Sequence, residues 1–203
     1  MSNDINPLAT IIVLTAPSGA GKTTIARGAI KLLPHLRFSV SATTRPIRDY
    51  EVDGKDYHFV SRERFDELVA TGAFLEYEEV YADRFYGTLW SEVEASSPSH
   101  PVLLDIDVLG AGRVKKKFGD QALAIFVAPP SLEVLKTRLV DRKTEDSESI
   151  DLRISRARME ISMADRFDHS VVNEDIDKAI SETVGYVERF LTRRIQECAQ
   201  KSD

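Results

Sequence analysis

The sequence holds one cysteine, Cys198, so an internal disulfide is impossible and the chain suits a reducing, cytoplasmic compartment. Its four histidines, His35, His58, His100 and His169, are scattered and make neither a zinc pattern nor a nucleophile–base pair. No apolar run approaches the ~20 residues that span a membrane. The opening MSNDINPLAT lacks the apolar core of a signal peptide. There is no internal repeat and no low-complexity linker. Positive charge is also scarce. Lys and Arg number 27 against 33 Asp and Glu, a net charge of −6. That argues against a nucleic-acid binder, which usually presents a basic face. It leaves anionic small substrates open, because local arginine clusters prevail at short range. The dense lysine run, RVKKKFG at Arg113–Gly119, reads as the solvated end of a helix, where cations suit the dipole.

What the chain does have is a loop suited to phosphate, TAPSGAGKTT at residues 15–24. It approximates G-x-x-x-x-G-K-[ST], with Ala16 in the first position. The apolar, β-branched TIIVLT before it predicts a buried strand. TTIARGAIKLL after it has helical spacing and is stopped by Pro34. Gly19 and Gly21 permit a tight turn and close approach to a ligand. Backbone N–H groups can then face an anion above the helix N-terminus. Lys22 can reach the terminal phosphates, and the Thr23 hydroxyl can ligate magnesium.

Apolar strands alternate with helices along the rest of the chain, which predicts an α/β fold: a parallel sheet with helices on both faces. Strands are expected at the start of Leu36–Thr44, at Pro101–Asp107, Ala122–Pro130 and His169–Asn173. Helices are expected at Arg62–Phe74, Ser131–Lys143, Ser149–Phe167 and Ile176–Ala199. The last has the apolar stripe Ile176, Ile180, Val184, Val187, Leu191, Ile195, expected to pack in the core. Residues 41–97 break the rhythm and read as an inserted, partly β subdomain. Ligands of open α/β sheets bind beyond the carboxyl ends of strands. The phosphate loop and the DID of LLDID both lie there.

Three clusters carry candidate chemistry. In LLDID, strand alternation would point Asp105 and Asp107 the same way, about 6.6 Å apart. One carboxylate can serve a magnesium shell and the other a substrate. In SATTRPIRDY, Arg45 and Arg48 present guanidinium forks suited to a second phosphate, with Tyr57 as a further donor. Around the polar segment Thr144–Ser149 stand Arg138, Arg142, Arg153, Arg156 and Arg158, of which Arg142 and Arg153 flank it. Such arginines can close over a transferring phosphate. Each can equally be a surface residue paired with Glu145, Asp146 or Glu148.

Taken in order, APSGAGKTT, SVSATTRPIRDYEVDGKDYHFVS, FLEYEEVY, FYGT, LLDIDVLGA, IFVAPPSLEVLKTRL and VVNEDI resemble the guanylate kinase family over about Thr10 to Phe190. The resemblance implies phosphoryl transfer from ATP to GMP in guanine nucleotide metabolism, with Mg2+, and neither nucleic acid nor membrane as partner. It implies that Ala16, Pro17, Ser18, Gly19, Ala20, Gly21, Lys22, Thr23 and Thr24 hold ATP, with Asn173 at the adenine pocket. It places Ser41, Arg45, Arg48, Tyr57 and Tyr86 at GMP, the last four at its phosphate, and Glu76, Thr88 and Asp107 at the guanine. Lys22, Arg45, Arg142 and Arg153 would be catalytic, and Thr23 and Asp105 would hold the metal. The expected organisation is one domain over 1–203: a core at about 8–40, 98–134 and 159–200, a GMP-binding insertion at about 41–97 and a lid at about 135–158. Three features depart from the family pattern: Ala16 for the common glycine, RKTEDSES in the lid, and a YEEVYADRFYG segment about one residue longer. Two other readings stand beside this one: a non-catalytic guanylate-kinase-like interaction module, and a related kinase with another phosphorylated acceptor.

Overall fold

Continuous apolar runs build the main sheet because both of its faces are covered. In the computed structural model, which describes residues 6–141 and 147–200, the elements are β1 (Ile11–Thr15), α1 (Lys22–Leu32), β2 (Arg37–Phe38), β3 (Ala42–Thr43), β4 (His58–Phe59), α2 (Arg62–Ala70), β5 (Phe74–Tyr81), β6 (Arg84–Leu89), β7 (Val102–Ile106), α3 (Val108–Phe118), β8 (Ala122–Ala128), α4 (Leu132–Asp141), α5 (Ser147–Ile161), β9 (His169–Val172) and α6 (Ile176–Gln200). The main sheet has the order β2-β7-β1-β8-β9 and is parallel throughout. Every residue of the central strand β1 is buried. On one face Ile12, Leu14, Leu103 and Ile125 pack with Ile25, Leu135, Val187 and Leu191 of α1, α4 and α6. On the other, Ile11, Val13, Leu104 and Phe126 pack with Val108, Ala111, Val114 and Phe118 of α3.

The second sheet, β4-β3-β6-β5, lies wholly within residues 41–97. Its small core joins Phe65 of α2 to Phe74 of β5, ring centroids 4.5 Å apart, over Ala42. Beyond α2, Gly72 takes a φ of 68°, a left-handed conformation that glycine supplies without a side-chain clash. Among the described residues no helix is long and apolar enough to cross a membrane.

Several boundaries differ from expectation for physical reasons. Leu36–Thr44 divides between the sheets: β2 pairs with β7, and β3 pairs with β4 and β6. The helix expected to reach Phe167 ends at Ile161, and a short 3-10 turn, Ala164–Arg166, follows. On α6 the buried face runs through Ala179, Thr183, Val187, Phe190, Leu191 and Arg194, while Ile176 and Ile195 are exposed. Steps of four residues advance a stripe by about 40° each on a 3.6-residue helix. Ile195 has thereby turned away from the core.

Candidate active site

The phosphate loop joins β1 to α1, and backbone conformation sets its shape. Gly19 and Gly21 have φ of 90° and 95°. Ala16 is not in the left-handed region and is buried against the core, so its methyl group brings no backbone strain. Gly21 also sits beside Asn173. A Cβ there would lie 2.2 Å from Asn173 Nδ2, which donates to Ala20 O at 2.7 Å. The structure thus places Asn173 beneath the loop, where its amide holds Ala20 in place.

Lys22 and Thr23, the first residues of α1, converge on one carboxylate of β7. Lys22 Nζ pairs with Asp105 Oδ1 at 2.7 Å and donates to Ile106 O at 2.6 Å. Thr23 Oγ1 donates to Asp105 Oδ2 at 2.8 Å. Asp107 departs from the expected strand alternation. It follows β7 as the N-cap of α3, and its Oδ1 accepts from Leu109 N at 2.8 Å and Gly110 N at 3.1 Å. Aspartate suits that position because it satisfies N–H groups that have no helical partner.

Across the cleft, Glu76 of β5 is 5% exposed. Its Oε1 accepts from both Thr88 N (3.1 Å) and Thr88 Oγ1 (2.7 Å) of β6. Its Oε2 is buried and has no hydrogen bond among the described residues. A Cβ on Gly110 would lie 2.5 Å from that oxygen and 3.0 Å from Asp107 Oδ2. Glycine in the first turn of α3 leaves room for both carboxylates. Burial, followed by the neighbouring Asp107 charge, pushes Glu76 up to about 7.

The cleft lined by the loop and Glu76 also takes in Ser41, Tyr57, Tyr86, Asp105 and Asp107. The two tyrosines meet edge to face at 5.9 Å. Burial and then Asp105 push the Tyr57 hydroxyl up, so it remains a donor. Arg45 lies behind Tyr57, with Cζ 5.1 Å from that ring's centroid. It grips Glu51 through two hydrogen bonds of 2.7 Å and donates to Pro46 O at 2.8 Å. Burial opposes its charge, but the bonds to Glu51 prevail and its pKa rises. Arg48 is exposed, and its N–H donates to Glu51 Oε2 at 2.9 Å. Sequence reasoning missed Glu51, although an acid three residues beyond Arg48 was a visible signal.

The lid arginines sort differently. Arg142 lies outside the described residues, as does the run 142–146. The described lining of the cleft includes Arg156 and Glu160 of α5, not Arg153. Arg156 Nε donates to Glu160 Oε1 at 2.8 Å, and its Nη1 reaches Val80 O across the cleft. Burial raises the Glu160 pKa against the opposing pull of Arg156. Glu160 was not foreseen; it shares a helix face with the buried Ala157, three residues before it, and only that packing marks it out. Arg138 is tied to the Asn173 carbonyl at 3.0 Å.

A family model described as guanylate kinase matches residues 8–190. The chain belongs to the guanylate kinase family. A guanylate kinase of Salinibacter ruber is 56% identical over 90% of this chain and 97% of its own. A guanylate kinase of Chlorobium luteolum is 45% identical over 96% and 98%. Among solved structures, a guanylate kinase from Anaplasma phagocytophilum matches with a TM-score of 0.74 at 34% identity, covering 90% of this chain and 86% of that one. A gluconokinase from Sinorhizobium meliloti, 14% identical with a TM-score of 0.52 over 95% and 99%, shares the fold alone.

Proposed function

We propose that this chain moves the terminal phosphoryl group of ATP to the phosphate of GMP, giving ADP and GDP. The observation that carries this is one cleft with a phosphate loop on one wall and a buried carboxylate, with one oxygen unbonded among the described residues, on the other. Family membership supports the same reading, since curated relatives are guanylate kinases.

The loop amides and Lys22 hold the donor phosphates, and Lys22 neutralises charge on the transferring group. Thr23 and Asp105 supply a hydroxyl and a carboxylate side by side, a donor set that fits magnesium, which keeps several waters and takes one or two protein oxygens. Bound there with ATP, Mg2+ would supply charge neutralisation. A phosphate oxygen of GMP attacks the γ-phosphorus, and the bond to the β–γ bridging oxygen breaks with ADP leaving. The acceptor is already anionic, so the step needs no protein base.

Tyr57 and Tyr86 meet the GMP phosphate directly, with Arg45 and Arg48 reinforcing it from the 41–97 unit. Glu76 reads the base. Guanine offers adjacent N–H donors on its pairing edge, which a carboxylate accepts, whereas adenine lacks that pair. Thr88 fixes Oε1 of Glu76 and leaves Oε2 for this contact, with Asp107 beside it. The 135–158 segment acts as the lid that excludes water.

The test compares kcat/KM for GMP and AMP. Glu76→Gln should raise KM for GMP and narrow its advantage over AMP by about five- to 150-fold, the equivalent of ~1–3 kcal/mol of polar mismatch. Arg45→Ala should weaken both acceptors alike. An unchanged GMP/AMP ratio in Glu76→Gln would remove Glu76 as the base reader.

A further inference from the structure

Arg113 on α3 belongs to none of the groups assigned above. Its Nη2 donates to Tyr77 O at 2.8 Å and pairs with Glu78 Oε2 at 2.8 Å, both on β5. The same nitrogen stands 3.6 Å from Glu76 Oε2. At 3.6 Å a charge still acts strongly, but a hydrogen bond is not made. The guanidinium is held back by its two closer partners. Its positive charge therefore lies next to Oε2 while that oxygen's lone pairs stay available.

The surroundings otherwise work against a charge on Glu76. Burial and Asp107, at the N-terminus of α3, disfavour it; the Thr88 bonds from β6 and Arg113 from α3 favour it. Glu78, next on the same face of β5, offsets part of the Arg113 charge. Arg156 and Glu160 of α5 face the same cleft as a paired cation and anion.

We propose that Arg113 is a positioning residue for guanine recognition: it ties β5 to α3 and biases the Glu76 carboxylate towards the charged form without occupying Oε2. This rests on Glu76 reading the base. It predicts that selectivity for GMP depends on pH through a residue that does not touch the nucleotide.

The experiment is KM for GMP from pH 5.5 to 8.5 in the parent, Arg113→Met, Arg113→Lys and Glu76→Gln. The phosphate of GMP itself titrates near pH ~6, so Glu76→Gln supplies that background. Arg113→Met should move the remaining midpoint up by about half to one pH unit, raising KM roughly two- to fivefold at pH 7 and three- to tenfold towards pH 5.5, and converging with the parent at high pH. Its kcat at saturating GMP and its KM for ATP should stay near the parent values. Arg113→Lys should restore most of the midpoint. A KM raised by the same factor at every pH, or not raised at all, would overturn the proposal. If the parent and Glu76→Gln share one profile, base reading by Glu76 fails and the proposal fails with it.

Discussion

Gly21→Ala is the sharpest test of the phosphate loop, because two separate costs can be worked out at one atom. The first is backbone strain. A φ of 95° lies on the left-handed side, and an L-residue there costs about 1–2 kcal/mol. The second is collision. The new Cβ would sit 2.2 Å from Asn173 Nδ2, so Asn173 must turn away and give up its bond to Ala20 O. Asn173 is 5% exposed and Ala20 fully buried, and stranding such groups costs about 1–3 kcal/mol. The sum, roughly 2–5 kcal/mol, is large beside a typical stability of about 5–15 kcal/mol, yet the fold should survive. The loop would shift, and losing one charged amide–phosphate bond should raise KM for ATP by at least about tenfold. Urea unfolding and steady-state kinetics read the two effects. Ala16→Gly is the contrast. Its position needs no left-handed backbone, so it should cost only about 1–2 kcal/mol from chain entropy and the lost burial of one methyl and leave KM for ATP unchanged. In Gly21→Ala/Asn173→Ala the collision is relieved, while the φ strain and the stranded Ala20 carbonyl remain and the lost bond is counted once, so the combined cost should fall short of the sum by about 1 kcal/mol or more. A Gly21→Ala variant with parental stability and parental KM for ATP would refute the reasoning.

Two further outcomes follow from buried charges. Glu76 has its folded-state pKa raised from the usual 4.5 to about 7, so ionising it opposes folding. The penalty is absent below about pH 4.5, grows as the pH rises towards 7, and reaches about 3 kcal/mol above that. Glu76→Gln should therefore be the more stable protein at pH 8 and lose that advantage by pH 4.5 in urea titrations; a pH-independent difference would count against the buried charge. Glu51 holds Arg45 in a pair whose side chains are 6% and 7% exposed. Glu51→Gln should lower the urea midpoint by the equivalent of up to about 3 kcal/mol, and a loss below about 0.5 kcal/mol would mean that another group neutralises Arg45.

The main sheet was readable because β8 and all but the ends of β1 and β7 are continuous apolar runs, a pattern that burial on both faces produces. The loop was readable because Gly19, Gly21, Lys22 and Thr23 sit between a strand and a helix. Reading failed where tertiary contacts outweigh local pattern. Asp107 followed the period of a strand but left it to cap α3. Ile195 continued an apolar spacing but rotated off the buried face. Glu160 looked like one more surface acid, and only the packing of α5 brings it into the cleft. Glu76 was placed by resemblance; its oxygen without a hydrogen bond among the described residues, and the Gly110 space beneath it, were visible only in three dimensions.

One feature of the main sheet bears on how the molecule can move. Strands β2 and β7 are neighbours, with Arg37 opposite Val102, yet the whole second sheet lies between them in the chain. Because the two strands are parallel, the backbone leaves beyond Phe38 at one end of the pair and returns ahead of Val102 at the other. The second sheet is thus joined to the first by two chain crossings on neighbouring strands. Among the described residues no strand pairing joins the two sheets, so a change in their relative position would leave every pairing of the first intact.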